Sequence, residues 1–119
     1  MELLVYKASA GSGKTFTLAV EYIKHLIADP RAYRRILAVT FTNKATAEMK
    51  ERIVQTLYGL WTNDPSATAY LHCLQAELPA LHLSLTEEEI RQRAGNALLY
   101  MLHDYSRFRV ETIDSFFQS

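Results

Sequence analysis

Apolar residues along the chain follow two periodicities. Continuous apolar runs at 3–6 and 36–39 and an alternating run near 108–112 have the patterns of buried and half-buried strands, which we expect at about residues 3–8, 35–41 and 108–113. After each of the first two runs, at about 16–27 and 45–60, apolar residues recur every three or four positions, which is helical spacing. The order strand, helix, strand, helix predicts an α/β domain with a parallel sheet.

The middle of the chain breaks this alternation. The stretch "TNDPS" at 62–66 predicts a turn, and "TEEE" at 86–89 predicts a capping box between Thr86 and Glu89, flanked by Leu85 and Ile90. We therefore predict a helical hairpin over 65–104, with Trp61 and Tyr58 packing on it. The second helix of this hairpin carries an apolar side made of Ile90, Ala94, Ala97, Leu98, Met101 and Leu102. This gives three parts: residues 1–60, a helical insert at 61–106, and residues 107–119, which end in the helix start "DSFFQS".

The stretch "ASAGSGKT" lies between the first strand and the first helix. It has the Walker A spacing, with Ala8 where the strict motif has Gly, and glycines there let successive amides point at phosphate oxygens. Lys14 would reach the β- and γ-phosphates, and the hydroxyl of Thr15 would bind Mg²⁺. A plain strand–turn–helix joint is the alternative, but it leaves Lys14 and Thr15 unexplained. The predicted nucleotide site comprises Ala8, Ser9, Ala10, Gly11, Ser12, Gly13, Lys14, Thr15 and Phe16.

Composition adds little to this picture. The net charge is zero, but residues 1–55 carry nine Lys/Arg against five Asp/Glu, while residues 56–119 carry four against eight. The excess of positive charge is a weak indication of an anionic ligand near the first half. A single cysteine, Cys73, no signal peptide and no membrane-spanning apolar run lead us to expect a cytoplasmic protein without membrane contact.

Two further stretches resemble one enzyme family. "ILAVTFTNKATAEMKERI" at 36–53 resembles motif Ia of superfamily 1 helicases of the UvrD/Rep and RecB/AddA type, and "VETIDSFFQS" at 110–119 resembles their motif Ib, usually T-[FI]-H-[SG]-[FL]. The resemblance covers about residues 3–58 and 95–119 and leans toward the RecB branch. It implies a P-loop, RecA-like fold in an ATP- and Mg²⁺-dependent DNA helicase that moves 3′→5′ on single-stranded DNA in repair or recombination.

The resemblance also implies DNA contacts. Phe41 offers a ring for base stacking, and short polar groups and helix-start amides suit the phosphodiester backbone. The alternatives are that Phe41 is a core residue and that Asn43 only caps a helix. Asp114 replaces the usual His, which puts that contact in doubt, and it would instead cap a helix beginning at Ser115. The implied DNA-binding residues are Thr40, Phe41, Thr42, Asn43, Lys44, Thr112, Ser115 and Phe116.

The sequence lacks one part of such a motor. Hydrolysis in this family uses an Asp-Glu pair after a strand and arginines from a second domain, and no Asp-Glu pair occurs here. We therefore expect an N-terminal fragment of a larger helicase or helicase–nuclease, inactive alone, whose partners are the remaining chain and possible nuclease parts. Its exposed strand edges predict self-association. A small P-loop kinase and a non-enzymatic nucleotide-binding fragment stay open as alternatives.

Overall fold

Three parallel strands form the sheet in the computed structural model, which describes the backbone of residues 2–5 and 13–118 and the side chains of 15–117. The strands are β1 (Glu2–Val5), β2 (Ile36–Thr40) and β3 (Val110–Thr112), and their order in the sheet is β1-β2-β3. Since both pairings are parallel, the prediction of an α/β domain with a parallel sheet is confirmed.

Within residues 2–5 and 13–118, five helices accompany the sheet. One helix follows β1, another follows β2, two fill the interval before β3, and a short one follows β3. They are α1 (Gly13–Ala28), α2 (Asn43–Thr62), α3 (Thr68–Glu77), α4 (Glu87–His103) and α5 (Ile113–Gln118). Short 3-10 turns occur at Ala32–Arg34, Pro65–Ala67, Leu78–Leu81 and Tyr105–Arg107.

The last strand is shorter than the alternating sequence pattern predicts. Phe108 is buried but precedes β3, and helix α5 has already begun at Ile113. The cause is local, because the Thr112 hydroxyl accepts a hydrogen bond from the amide of Ser115 at 3.2 Å and so caps the helix. The first strand is described to Val5, and the predicted strand residues 6–8 lie outside the described residues.

The predicted helical stripes form the core. The stripe on α2 is buried, and so are its counterparts on α1 and α4, with two exceptions: Phe16 on α1 is partly buried and Leu102 on α4 is exposed. Leu102, which the spacing assigns to the buried side of α4, is 50% exposed, so that assignment is wrong. The buried stripe residues of α2 are Ala45, Met49, Ile53, Leu57 and Leu60.

Helix α4 packs along α2 through a close contact at a glycine. A Cβ on Gly95 would lie 2.6 Å from Cδ1 of Trp61, so the indole covers the bare backbone of α4. Nearby, Nη1 of Arg91 donates to the carbonyl of Leu60 at 2.9 Å. The expected packing of Trp61 on the insert is therefore confirmed.

The start of α4 is a capping box, as predicted. The amide of Glu89 donates to the Thr86 hydroxyl at 3.1 Å, and the Thr86 amide donates to the Glu89 carboxylate at 2.9 Å. The backbone hydrogen bond from Thr86 holds the pKa of the Glu89 carboxyl below its usual value.

The end of α4 is fastened to the segment before β2. The Tyr33 hydroxyl lies 3.0 Å from Oδ2 of Asp104, and Nε of Arg34 donates to the same oxygen at 3.0 Å. Partial burial raises the pKa of Asp104, but these hydrogen bonds outweigh it and hold that pKa below the usual value. Together with the contacts of Trp61 and Arg91, this clamp fixes both ends of the insert against the α/β elements.

Candidate functional site

The strands end together at one edge of the sheet, which we call the carboxyl edge. The register pairs Val5 with Val39 and Thr40 with Thr112, so all three strands finish within about one residue of each other. In open parallel sheets, ligands bind outside this edge. The segments that leave it are residues 6–12 after β1, residues 41–42 after β2, and α5 after β3.

The predicted phosphate loop is described only at its helical end. Ala8 to Ser12 lie outside the described residues, while Gly13 and Lys14 open helix α1. Thr15, in the first turn, is 7% exposed. The first amides of a 16-residue helix have no intrahelical acceptor, and with a threonine hydroxyl among them they form a donor set that fits a phosphate with its Mg²⁺.

Phe16 lies against the insert. Its ring centroid is 4.5 Å from that of Tyr70 in α3, and the side chain is partly buried against the core. Sequence reasoning assigned Phe16 to the nucleotide, and nothing in the sequence pattern indicated its partner. The contact depends on how α3 crosses α1, which no local signal encodes.

The turn after β2 is held by threonine hydroxyls. Thr40 is 1% exposed, its hydroxyl donates to the Thr42 carbonyl at 3.3 Å, and it lies 2.7 Å from the hydroxyl of Thr46. Thr40 therefore stabilises the turn from its buried side, through hydrogen bonds to Thr42 and Thr46. Sequence reasoning missed Thr46, although a second threonine one turn inside the predicted helix was a usable signal.

Phe41 lies on the outside of this turn. Its side chain is 47% exposed, so the alternative that it is a core residue is wrong. An exposed ring at the carboxyl edge, beside a helix start, is available for stacking.

Thr42, not Asn43, caps helix α2. Its hydroxyl accepts from the amide of Ala45 at 3.0 Å, and Asn43 is the first helical residue. Asn43 and Lys44 are exposed. The alternative that Asn43 serves as the cap is therefore wrong.

The turn after β3 repeats this arrangement. Because Thr112 caps α5, the expectation that Asp114 caps a helix starting at Ser115 is wrong. Asp114 is an exposed first-turn residue, where a carboxylate suits the positive helix end. Ser115 is exposed, and the half-buried ring of Phe116 packs edge-to-face on Phe117 at 5.3 Å.

The structure brings most predicted DNA residues to one place. Thr40 and Thr112 are paired across β2 and β3, so the two capped helix starts that follow them lie side by side. Among the described residues, no group of three His, Cys, Asp or Glu side chains could hold a metal ion, and no helix is long and apolar enough to cross a membrane.

Comparison with known proteins decides the family. A family profile described as the UvrD/REP helicase N-terminal domain matches residues 2–118. The chain belongs to this family. The resemblance of the chain to helicases of this family is thereby confirmed.

Individual relatives agree with this assignment. The chain is 34% identical over 133 aligned positions to an ATP-dependent helicase/nuclease subunit of Desulforudis audaxviator, covering 97% of this chain and 10% of that protein. It is 35% identical over 113 positions to the corresponding helicase/nuclease subunit of Bacillus cytotoxicus, covering 90% and 9%. The ATP-dependent DNA helicase PcrA of Leuconostoc citreum is 53% identical over 55 positions, covering 45% and 7%.

These relatives are far longer than the matched region. The chain spans a tenth or less of the length of each of them. No solved structure matches the chain.

Proposed function

We propose that this chain is the nucleotide- and DNA-binding part of a superfamily 1 ATP-dependent DNA helicase or translocase acting on single-stranded DNA. The observation that carries the proposal is the register at the carboxyl edge. It sets the strand leading to the Walker A stretch beside β2, and β2 beside β3, so the turns after β2 and β3, which carry motifs Ia and Ib, lie at the same edge. One sheet edge would then hold nucleotide and DNA next to each other.

At the nucleotide end, the proposed ligand is ATP with Mg²⁺, which supplies the energy of the motor when bound. Residues 8–13 and the first amides of α1 would bind the phosphates, with Lys14 neutralising their charge. The hydroxyl of Thr15 would bind Mg²⁺. Helix α1 is a firm base for this site, because Leu18, Ala19 and Tyr22 behind its first turn are fully buried.

At the DNA end, the proposed contacts are a stacked base on Phe41 and backbone contacts from both helix starts. The exposed Asn43 and Lys44 lie beside the Phe41 ring, and Ser115 lies across from them after β3. Asp114 is exposed at the same edge and would repel a phosphate, so a DNA strand would approach from the α2 side.

The turnover chemistry would need groups beyond these residues. An Asp-Glu pair, which would hold Mg²⁺ and orient the attacking water, does not occur in this sequence. The family assignment favours a motor over a small kinase. A measurement of nucleotide binding by this chain would distinguish a motor from a fragment that no longer binds nucleotide.

The test is ATP hydrolysis by the full-length protein with and without oligo(dT). We expect hydrolysis that rises when DNA is added and a loss of at least about a hundredfold in Lys14→Ala, the scale of losing one charge-stabilising donor. The matched control is Lys50→Ala, whose ammonium lies over Tyr105 and Phe108 away from the carboxyl edge. Hydrolysis that ignores DNA, or that survives Lys14→Ala, would contradict the proposal.

A helicase–nuclease is the second candidate, favoured by the names of the relatives that cover 90% or more of this chain. It predicts that the full-length protein also degrades labelled single-stranded DNA. Degradation should persist in Lys14→Ala without ATP if the nuclease lies elsewhere in the protein. If the labelled DNA stays intact after long incubation with Mg²⁺, the nuclease activity is excluded and only the helicase activity remains proposed.

A further inference from the structure

Tyr70, in the insert, contacts both α1 and α2, the helices that follow β1 and β2. Its ring packs on Phe16, one residue after Thr15 in the first turn of α1. Its hydroxyl accepts a hydrogen bond from Nη1 of Arg52, in the middle of α2, at 3.1 Å. Tyr70 itself is 7% exposed, so both contacts are made from a fixed position.

The two contacts differ in how easily they can break. The ring contact is held by the core around it. The hydrogen bond borders a cavity of about 360 Å³ lined by Glu48, Gln55 and Ser66 as well as by Arg52 and Tyr70. Arg52 is exposed, so its guanidinium has room to swing into this cavity while Tyr70 stays in place.

We infer that Tyr70 is a positioning residue that links nucleotide binding at α1 to DNA binding at α2. This inference rests on the proposed function of the carboxyl edge. The element with two arrangements is the Arg52–Tyr70 hydrogen bond, formed or open into the cavity. When the turn at residues 41–43 binds DNA, α2 shifts and carries Arg52 with it. While the hydrogen bond is formed, Tyr70 follows Arg52 and passes the shift through Phe16 to the first turn of α1; when the bond is open, Tyr70 stays in place and α1 no longer responds.

The role assigned to Tyr70 differs from simple support. A purely structural tyrosine affects stability and leaves the effect of one ligand on the other unchanged. A linking residue changes the factor by which DNA alters nucleotide affinity, and the same factor by which nucleotide alters DNA affinity, because such coupling is reciprocal.

The experiment measures this factor in the full-length protein. The affinity for fluorescent Mg–ADP is determined with and without saturating oligo(dT) in the wild type, Tyr70→Phe and Arg52→Gln. Tyr70→Phe keeps the ring against Phe16 and removes the hydrogen bond. We expect nucleotide affinity without DNA to stay within about twofold, while the coupling factor moves toward one by about two- to thirtyfold, the usual range for such positions.

Two comparisons sharpen the result. Tyr58→Phe removes the hydroxyl of a tyrosine that lies in α2, as Arg52 does, and is 56% exposed. The coupling factor of this variant should equal that of the wild type. The double variant Tyr70→Phe with Arg52→Gln should lose no more coupling than either single variant, because both remove the same bond.

The outcomes separate the two proposals. Unchanged coupling in Tyr70→Phe and Arg52→Gln, in a protein that binds nucleotide and DNA, overturns the role of Tyr70 and leaves the proposed function standing. Additive losses in the double variant also overturn it. A wild-type protein that binds neither ligand overturns both.

Discussion

Helices at the carboxyl edge and in the helical insert both begin with a threonine cap, but the residues around the cap differ. Thr42 caps α2 and Thr86 caps α4, each accepting from the amide three residues on, at 3.0 and 3.1 Å. In the insert, Glu89 completes the box and Ile90 is buried behind it. At the edge, the same cap is flanked by the exposed ring of Phe41. A helix start contributes to folding where buried residues and a second capping group surround it, and it is accessible to a ligand where its neighbours are exposed.

The largest expected effect comes from Phe41. Removing the ring in Phe41→Ala should weaken DNA affinity of the full-length protein by about five- to a hundredfold, because one base–aromatic stack contributes about 1–3 kcal/mol. Basal ATP hydrolysis should stay close to that of the wild type. The measurement is hydrolysis rate against oligo(dT) concentration.

The matched control for Phe41→Ala is Tyr58→Ala, which removes an exposed ring from the insert end of α2. It should leave the DNA dependence unchanged. Equal loss of basal and DNA-stimulated hydrolysis in Phe41→Ala would mean that the ring supports the fold and that the difference between the two regions is smaller than the structure indicates.

The insert should respond to packing rather than to ligands. Gly95→Ala places a methyl group within 2.6 Å of the Trp61 ring, and overpacking of this kind costs about 1–3 kcal/mol of the free energy of unfolding. DNA and nucleotide affinity should not change. Denaturant unfolding followed by circular dichroism measures the loss, and Trp61→Ala in the same chain should reduce the penalty of Gly95→Ala. If Gly95→Ala costs the same stability in the presence of Trp61→Ala, the strain does not come from the Trp61 ring.

The two caps test the comparison directly. Thr42→Ala and Thr86→Ala should each cost about 1 kcal/mol of unfolding free energy, because each leaves a helix amide without its acceptor. Only Thr42→Ala should also weaken DNA binding, since its cap forms the turn beside Phe41. The pair is measured by thermal unfolding and oligo(dT) titration. Equal DNA affinities in the two variants would count against a DNA site at this turn.

The smallest effect is a pH dependence that belongs to the insert. The folded pKa of Asp104 is lower than its ordinary, unfolded value, so its stabilising contribution is complete above the ordinary carboxyl pKa of about 4 and is lost as the pH falls through the folded pKa. Asp104→Asn should therefore flatten the acid side of the stability curve below about pH 5. Unfolding midpoints from pH 7 to pH 3 give the slope, and parallel curves for variant and wild type would exclude this source.

The features that could be predicted from sequence are those set by neighbours along the chain. The stripe of α2, the Thr86–Glu89 capping box and the parallel sheet follow from local periodicity and cap chemistry. The Walker A residues Ala8 to Ser12 rest on sequence alone. Assigning caps to Asn43 and Asp114 failed because a threonine, one residue before Asn43 and two before Asp114, competes for the helix-start amides, and only the backbone geometry decides between them.

Other features depend on elements distant in sequence. Leu102 has apolar helical spacing but is half exposed, because it lies at the solvent border of the contact between α4 and α2, beside Val54 and Gln55. The contact of Phe16 with Tyr70 spans more than fifty residues and depends on the path of the insert. Such contacts carry no periodic signal, so sequence reasoning could place both residues on helices but not bring them together.

The pairing of Thr40 with Thr112 has an evolutionary consequence. Hydrogen bonds between β2 and β3 fix the two turns relative to each other, so the chain between them can gain or lose residues without moving either turn. The alignment with the Desulforudis audaxviator protein runs over 133 positions against the 119 residues here, so that relative carries additional residues within the matched region. The sheet register thus keeps the turns after β2 and β3 in place while the segment between them varies in length. New loops in the segment from 61 to 106 would disturb the carboxyl edge little.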